Sequence, residues 1–179
     1  MSIGEVEPGA AQPPAAGKNT ADGPESPALP APRGPALQVS NRHTYKVQVL
    51  DAMTTLSLPY DPPPAGTTAL AVLLRVEADP ANRRIQAPIQ YLGVKYPSLR
   101  ADLSQYVGTA FDKRRPYLTE DQMRFRGEGA QGVDLLEANT VYYTWAWQIV
   151  SEKADLTGAT LCEVHEKDDC IPIGAIRAG

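Results

Sequence analysis

The sequence predicts an all-β protein, an antiparallel β-sandwich of about seven strands with one short helix, preceded by a disordered N-terminal arm. Three observations carry that expectation. Thr140–Val150, TVYYTWAWQIV, sets Val141, Tyr143, Trp145, Trp147 and Ile149 at alternate positions, with Thr144 and Gln148 between them. Period-two alternation of aromatic and β-branched residues marks a strand with one buried face. Leu70–Ala78 offers a matching face of Leu70, Val72, Leu74 and Val76, with Arg75 and Glu77 turned away. Two such faces make a sandwich core about 10 Å thick, so the expected core is Val72, Leu74, Val76, Tyr143, Trp145, Trp147 and Ile149. The third observation is compositional: residues 1–40 hold eight of the 17 prolines and no aromatic residue.

Such an arm buries too little apolar surface to offset its backbone entropy. Residues 1–40 are therefore expected to be a disordered, partly extended tether, with the sandwich domain over 41–179. The remaining ~140 residues suffice for a core of their own. The net charge is −4, and half of it lies in the arm, where Lys18 and Arg33 face Glu5, Glu7, Asp22 and Glu25. Neither part is a polyanion-binding surface by bulk charge, so no nucleic-acid partner is expected. No apolar run approaches the ~18 residues of a membrane span. The stretch MSIGEVEPGAAQ has neither the basic nor the apolar region of an export signal.

In chain order, Thr44–Leu50 alternates as a first strand, and Leu56–Tyr60 extends it after a kink at Ala52–Thr55. Asp61–Gly66 breaks the chain, because its three prolines cannot donate to a ladder. The central strand Thr67–Ala78 follows and stops at the turn Asp79–Asn82. Ile85–Lys95 is a weaker strand interrupted by Pro88 and Gly93, which suits an edge. Leu99, Leu103, Tyr106 and Val107 have helical spacing, with Ser98 as N-cap. Phe111–Leu118 reads as an exposed loop, Met123–Arg126 as a short strand and Gly127–Gly132 as a loop. Leu135–Asn139 leads into the tryptophan strand, and Lys153–Gly158 turns the chain. Ala159–Val164 and Ile171–Ile176 form a final hairpin around His165–Asp169. About seven strands at this spacing make the sandwich Ig-like.

The order of these features resembles the Ig-like extracytoplasmic domains of bacterial lipoproteins and membrane-anchored proteins. The resemblance lies in a first strand Tyr45–Val49 after a low-complexity tether, the turn Pro64-Ala65-Gly66 before Leu70–Val76, and the short leader Leu135–Asn139 before the late core strand. It implies a non-enzymatic protein-interaction module, extracytoplasmic and tethered near a bacterial membrane, with a protein partner. The rival expectation is a structural assembly subunit of phage or virion type. A small-ligand or metal-binding domain is a third.

Candidate sites are few. Gly127–Gly132 matches G-x-G-x-x-G, but a dinucleotide site needs a following helix, and too little chain precedes the tryptophan strand. Cys162 and Cys170, eight apart around a hairpin, suit a cross-strand disulfide; free thiols, or a metal held with His165, Asp168 and Asp169, are the alternatives. A disulfide favours an oxidising compartment. Lys113-Arg114-Arg115, Arg83-Arg84, Arg124 and Arg126 read as solvated surface. Trp145 and Trp147 read as core rather than as the lining of a ligand groove. Only His43 and His165 are available as histidine bases, and no G-x-S-x-G, S-x-x-K or H-E-x-x-H occurs. No catalytic residue, cofactor or metal is expected.

Overall fold

Continuous apolar runs need cover on both faces, and Leu70–Leu74 is such a run. The computed structural model describes residues 28–40, 44–79, 84–114, 117–126, 132–164 and 169–179. Its strands are β1 (Leu37–Ser40), β2 (Thr44–Thr55), β3 (Thr67–Ala78), β4 (Arg84–Gln86), β5 (Leu92–Lys95), β6 (Leu135–Glu137), β7 (Val141–Ser151), β8 (Thr160–Glu163), β9 (Cys170–Pro172) and β10 (Arg177–Ala178). The main sheet runs β1-β2-β3-β7, with β10 parallel alongside β2. A second sheet runs β5-β8-β9, and β4 pairs with β6. The two sheets pack together as an all-β sandwich.

The main core joins Val72, Leu74 and Val76 of β3 to Tyr142, Ala146 and Val150 of β7, and to Leu92, Val94 and Leu161 of the second sheet. Val72, Leu74 and Val76 are thus core as expected, but the tryptophan face is not. In the β3–β7 ladder Leu73 faces Trp145 and Ala71 faces Trp147, whereas Val72 faces Ala146 and Leu74 faces Thr144. Directly paired residues share a face. Tyr143, Trp145, Trp147 and Ile149 therefore lie on the outer face of the main sheet, turned away from the sandwich interior. Tyr143 and Trp147 are still buried there; Trp145 and Ile149 are half-buried.

Register explains β2 as well. A bulge between Val49 and Asp51 shifts the alternation: Tyr45, Val47 and Val49 face the main core before it, and Ala52 after it, while Leu50 goes to the outer face. An inserted residue exchanges the faces without ending the strand. Ala52–Thr55 is consequently strand, and Leu56–Tyr60 is an irregular loop.

Other expectations are corrected by local chemistry. Ile85–Lys95 splits at Pro88 into β4 and β5, which belong to different ladders. The helix after Ser98 is one turn, α1 (Leu99–Asp102), and Ser98 Oγ bonds Asp102 and the Asp155 N–H rather than capping it. Met123–Arg126 lies in a π-helical turn, Gln122–Arg126. Thr119 opens that turn with a reciprocal capping pair: the Gln122 N–H donates to Thr119 Oγ1 and the Thr119 N–H to Gln122 Oε1. Phe111, Tyr117 and Leu118 are buried, so 111–118 is not an exposed loop. Asn139 takes the left-handed conformation (φ 58°) at the turn into β7, which asparagine tolerates better than most residues.

The domain also begins earlier than residue 41. β1 pairs with β2, and its Leu37 and Val39 are buried. The chain before it is fastened too: the Arg33 N–H donates to Val49 O at 2.8 Å, and its guanidinium to Ile173 O and Ala175 O. The expected tether over residues 1–27 lies outside the described residues.

Asp51 at the bulge ties the segment before β1 to β10, accepting from Arg33 at 3.2 Å and from Arg177 at 2.7 Å. Burial pushes its carboxyl up, but the Arg177 hydrogen bond, the Ala52 N–H and the charges of Arg177 and Arg33 outweigh it and hold it below the usual range. A folded-state pKa below the unfolded one contributes stability above the unfolded value of about 3.9, lost as pH falls through the folded value. Asp51→Asn is expected to cost about 1–2 kcal/mol at neutral pH, since Arg177 is screened by water. In acid the difference between variant and parent is expected to vanish. Hydrogen exchange at the Gly179 amide, which donates to Thr54 O, checks it: exchange unchanged by the substitution would mean that Asp51 does not hold β10.

Candidate functional site

Covering the outer face is left to three irregular segments. Leu29 and Met123 pack on Leu50, Leu73 and Tyr143. Leu58 and Met53 pack on Ala69, Ala71 and Trp147. Trp145 belongs to both patches. Among the described residues the cover is incomplete. Between the 56–60 loop and β7 lies an open apolar cleft of about 270 Å³, lined by Met53, Leu58, Pro59, Ala71, Trp145 and Trp147, with Thr55 and Ser57 at its edge. Ala71 of β3 at its floor leaves space that a larger side chain would fill.

Beside Trp147, one wall of the cleft, Tyr60, Asp112 and Arg114 form a rim. The Arg114 guanidinium lies 4.6 Å from the Tyr60 ring centroid and 6.0 Å from that of Trp147. The Tyr60 and Trp147 rings are 6.1 Å apart and tilted by 39°. Asp112 fixes the guanidinium with two 2.9 Å bonds, from Nε and Nη2, and accepts the Arg114 backbone N–H as well. Burial raises the Asp112 carboxyl, but these bonds and the charges of Arg114 and Lys113 outweigh it and hold it below the usual carboxylate range. A further bond from the Asp112 N–H to Trp147 O, 2.8 Å, ties the rim to β7. The tyrosine is 52 % exposed, whereas Trp147 beneath it is 2 % exposed. The rim thus presents an aromatic ring and a pre-oriented cation to solvent, on loop segments tied to β7.

Of the residues singled out in the sequence, the structure brings Trp145, Trp147 and Arg114 together here. Arg115 lies outside the described residues, and Lys113 is exposed. Met53, Leu58 and Tyr60 carried no signal of their own; only the bulge in β2 turns Met53 outward. Arg124 pairs with Glu120 on the π-helical turn and lies 5.1 Å from the Phe125 ring, away from the cleft lining. Most of the glycine-rich loop is outside the described residues, but the chain after Gly132 forms a bridge and then β6, not the helix a dinucleotide needs.

Cys162 and Cys170 are directly paired across β8 and β9, with Cα atoms 4.1 Å apart, and form a disulfide. Both sulfurs are committed, so neither is a thiolate ligand for metal; His165 and Asp168 lie outside the described residues. The closed loop is short, and the chain-entropy account gives about 2–3 kcal/mol. Reduction is expected to lower the unfolding free energy by that amount while leaving the main-sheet amides protected from exchange. Collapse of all protection together would show that the bond holds the whole domain.

Comparison with protein families, with curated proteins and with solved structures found no match to this chain.

Proposed function

We propose that this protein is a non-enzymatic protein-interaction module of an oxidising, extracytoplasmic compartment, held near a bacterial membrane by its N-terminal arm, and that it takes its partner at the outer-face cleft. The observation that carries the reading is the rim. Tyrosine, tryptophan and arginine are the side chains that dominate binding energy at protein interfaces, and here they converge on an apolar cleft with the cation already oriented. The ion pair engages Asp112 with the Arg114 guanidinium, which suits recognition rather than proton transfer. The Cys162–Cys170 bond supports the compartment, since such bonds persist where thiols are not kept reduced.

A photo-reactive amino acid placed at Tyr60, in the cells that make the protein, tests the reading. A discrete protein adduct is expected from Tyr60 and not from Thr157 on the exposed β7–β8 turn. The adduct is expected to disappear when Trp145→Ala is added. Identical adducts from both positions, or none from Tyr60, would remove the cleft as the binding surface.

A further inference from the structure

We propose that the partner taken at the cleft is a second copy of this chain, with Leu56 of each copy seated in the cleft of the other. The proposal rests on the cleft being a binding site and names what it binds.

Shape is the first argument. The loop that walls the cleft carries a projection beside the recess. Thr55, Ser57, Leu58 and Pro59 line the cleft; Leu56, between two of them, is outside the lining and 67 % exposed. A single exposed leucine is ordinary. Here Pro59 and Tyr60 are exposed on the same short loop and the apolar cleft opens beside it, so the leucine belongs to a contiguous apolar surface. The recess, about 270 Å³, falls below the ~300 Å³ at which pockets for drug-sized ligands begin. That size suits a protruding side chain better than a free ligand.

Rigidity is the second. The loop is held at both ends. Thr68 Oγ1 donates to Thr55 O at 3.1 Å and the Ser57 N–H to Thr55 Oγ1 at 3.0 Å, while the Tyr60 hydroxyl donates to Arg114 O at 3.3 Å. Projection and recess are therefore preformed, and little loop entropy is lost on association.

Charge is the third. The chain carries a net −4, so two copies repel at long range. At this face acids and bases are matched. Exposed Asp61 acts through space on exposed Arg114, and Asp112 is paired with Arg114 beside Lys113. In a two-fold contact residue i meets residue j and j meets i. A face that bears both a projection and a recess, and both an exposed acid and an exposed base, supplies both sides of each contact, Leu56 to cleft and Asp61 to Arg114, twice over. A partner that only filled the cleft would leave Leu56 in water.

The full chain, disulfide intact, is followed by sedimentation velocity over a concentration series through the micromolar range. A reversible species of twice the chain mass is expected. Leu56→Asp is expected to weaken association at least about thirtyfold, as loss of a central anchor does. Melting of the monomer should be unchanged, because Leu56 is exposed. Ala71→Leu, which fills the recess from its floor, is expected to weaken association as strongly. In the purified protein the photo-reactive residue at Tyr60 is expected to give a covalent dimer linked to the cleft of the other copy. A chain that stays monomeric through the series overturns the proposal. So does a dimer that survives both substitutions, which would put the interface elsewhere. A Tyr60 adduct with a different protein in cells, together with either of these results, leaves the binding module standing and removes only the second copy as its partner. Absence of any Tyr60 adduct removes both.

Discussion

Gly93→Ala is expected to destabilise the domain by about 3 kcal/mol or more, beyond the ordinary cost of overpacking. Gly93 sits in β5 opposite Cys162 of β8. A Cβ there would lie 2.0 Å from the backbone oxygen of Thr109 and 3.0 Å from Ala110 Cα. The obstacle is backbone, so no rotamer change relieves it. Nor is the 108–111 segment free to retreat: the Phe111 N–H donates to Leu92 O at 2.9 Å, and Gly108 O accepts from Gln148. The alanine must separate β5 from that segment or break these bonds. Gly34→Ala is the control, because nothing lies within 4 Å of the added carbon; it is expected to fall within about 0.5 kcal/mol of the parent, as surface changes do. Urea denaturation of the two variants decides: equal midpoints would mean that the crossing segment does not rest on Gly93.

The contrast between those glycines shows which features could be read from the sequence. β3 and β7 were legible in place and extent because both are long and strongly periodic. Their facing was not. Alternation in Thr140–Val150 is balanced between aromatic residues at odd positions and Tyr142, Ala146 and Val150 at even ones, and the assumption of one buried face chose the larger side chains. The continuous run Leu70-Ala71-Val72-Leu73-Leu74 signals two covered faces, and with two covered faces the alternation no longer says which is the interior. The cover itself, Leu29, Leu58 and Met123, comes from irregular segments with no period to read. Thr119-Glu120-Asp121-Gln122 does carry a signal, the capping-box spacing, which marks a helical turn where a strand was expected. β1 was hidden by the composition of the arm, since four residues cannot outweigh a preceding stretch rich in proline, alanine and glycine. The rim of the cleft depends on contacts distant in sequence, Tyr60 with Arg114 and Trp147, and no local pattern encodes them.

The second large effect is expected at Gln148, where Gln148→Leu should cost about 3–5 kcal/mol although its volume is nearly conserved. Gln148 is on the inner face of β7 and 1 % exposed. Its Oε1 accepts the Val94 N–H at 2.8 Å, and its Nε2 donates to Val94 O at 3.0 Å and to Gly108 O at 3.3 Å. β5 is an edge strand of the second sheet, with its N–H and C=O groups turned into the protein rather than to water. The carboxamide takes the place of the missing neighbouring strand, which a buried edge requires. Leucine would leave the Val94 N–H and C=O buried and unpaired, at roughly 1–3 kcal/mol each, and would remove the donor to Gly108 O. Gln148→Glu separates this from lost packing. At neutral pH it keeps an acceptor for the Val94 N–H but has no donor and adds a buried charge. A buried carboxyl has a folded-state pKa above its unfolded value near 4.3; its penalty is full above the folded pKa and shrinks as pH falls through it. The gap between Gln148→Glu and the parent should therefore narrow in acid, when the protonated carboxyl can donate to Val94 O, while the leucine variant should show no such recovery. Trp147 precedes Gln148 on the same strand, so loss of this lock should also shift tryptophan emission at the outer cleft. A leucine variant with the parent's midpoint and a protected Val94 amide would mean that the two sheets are joined by apolar packing alone.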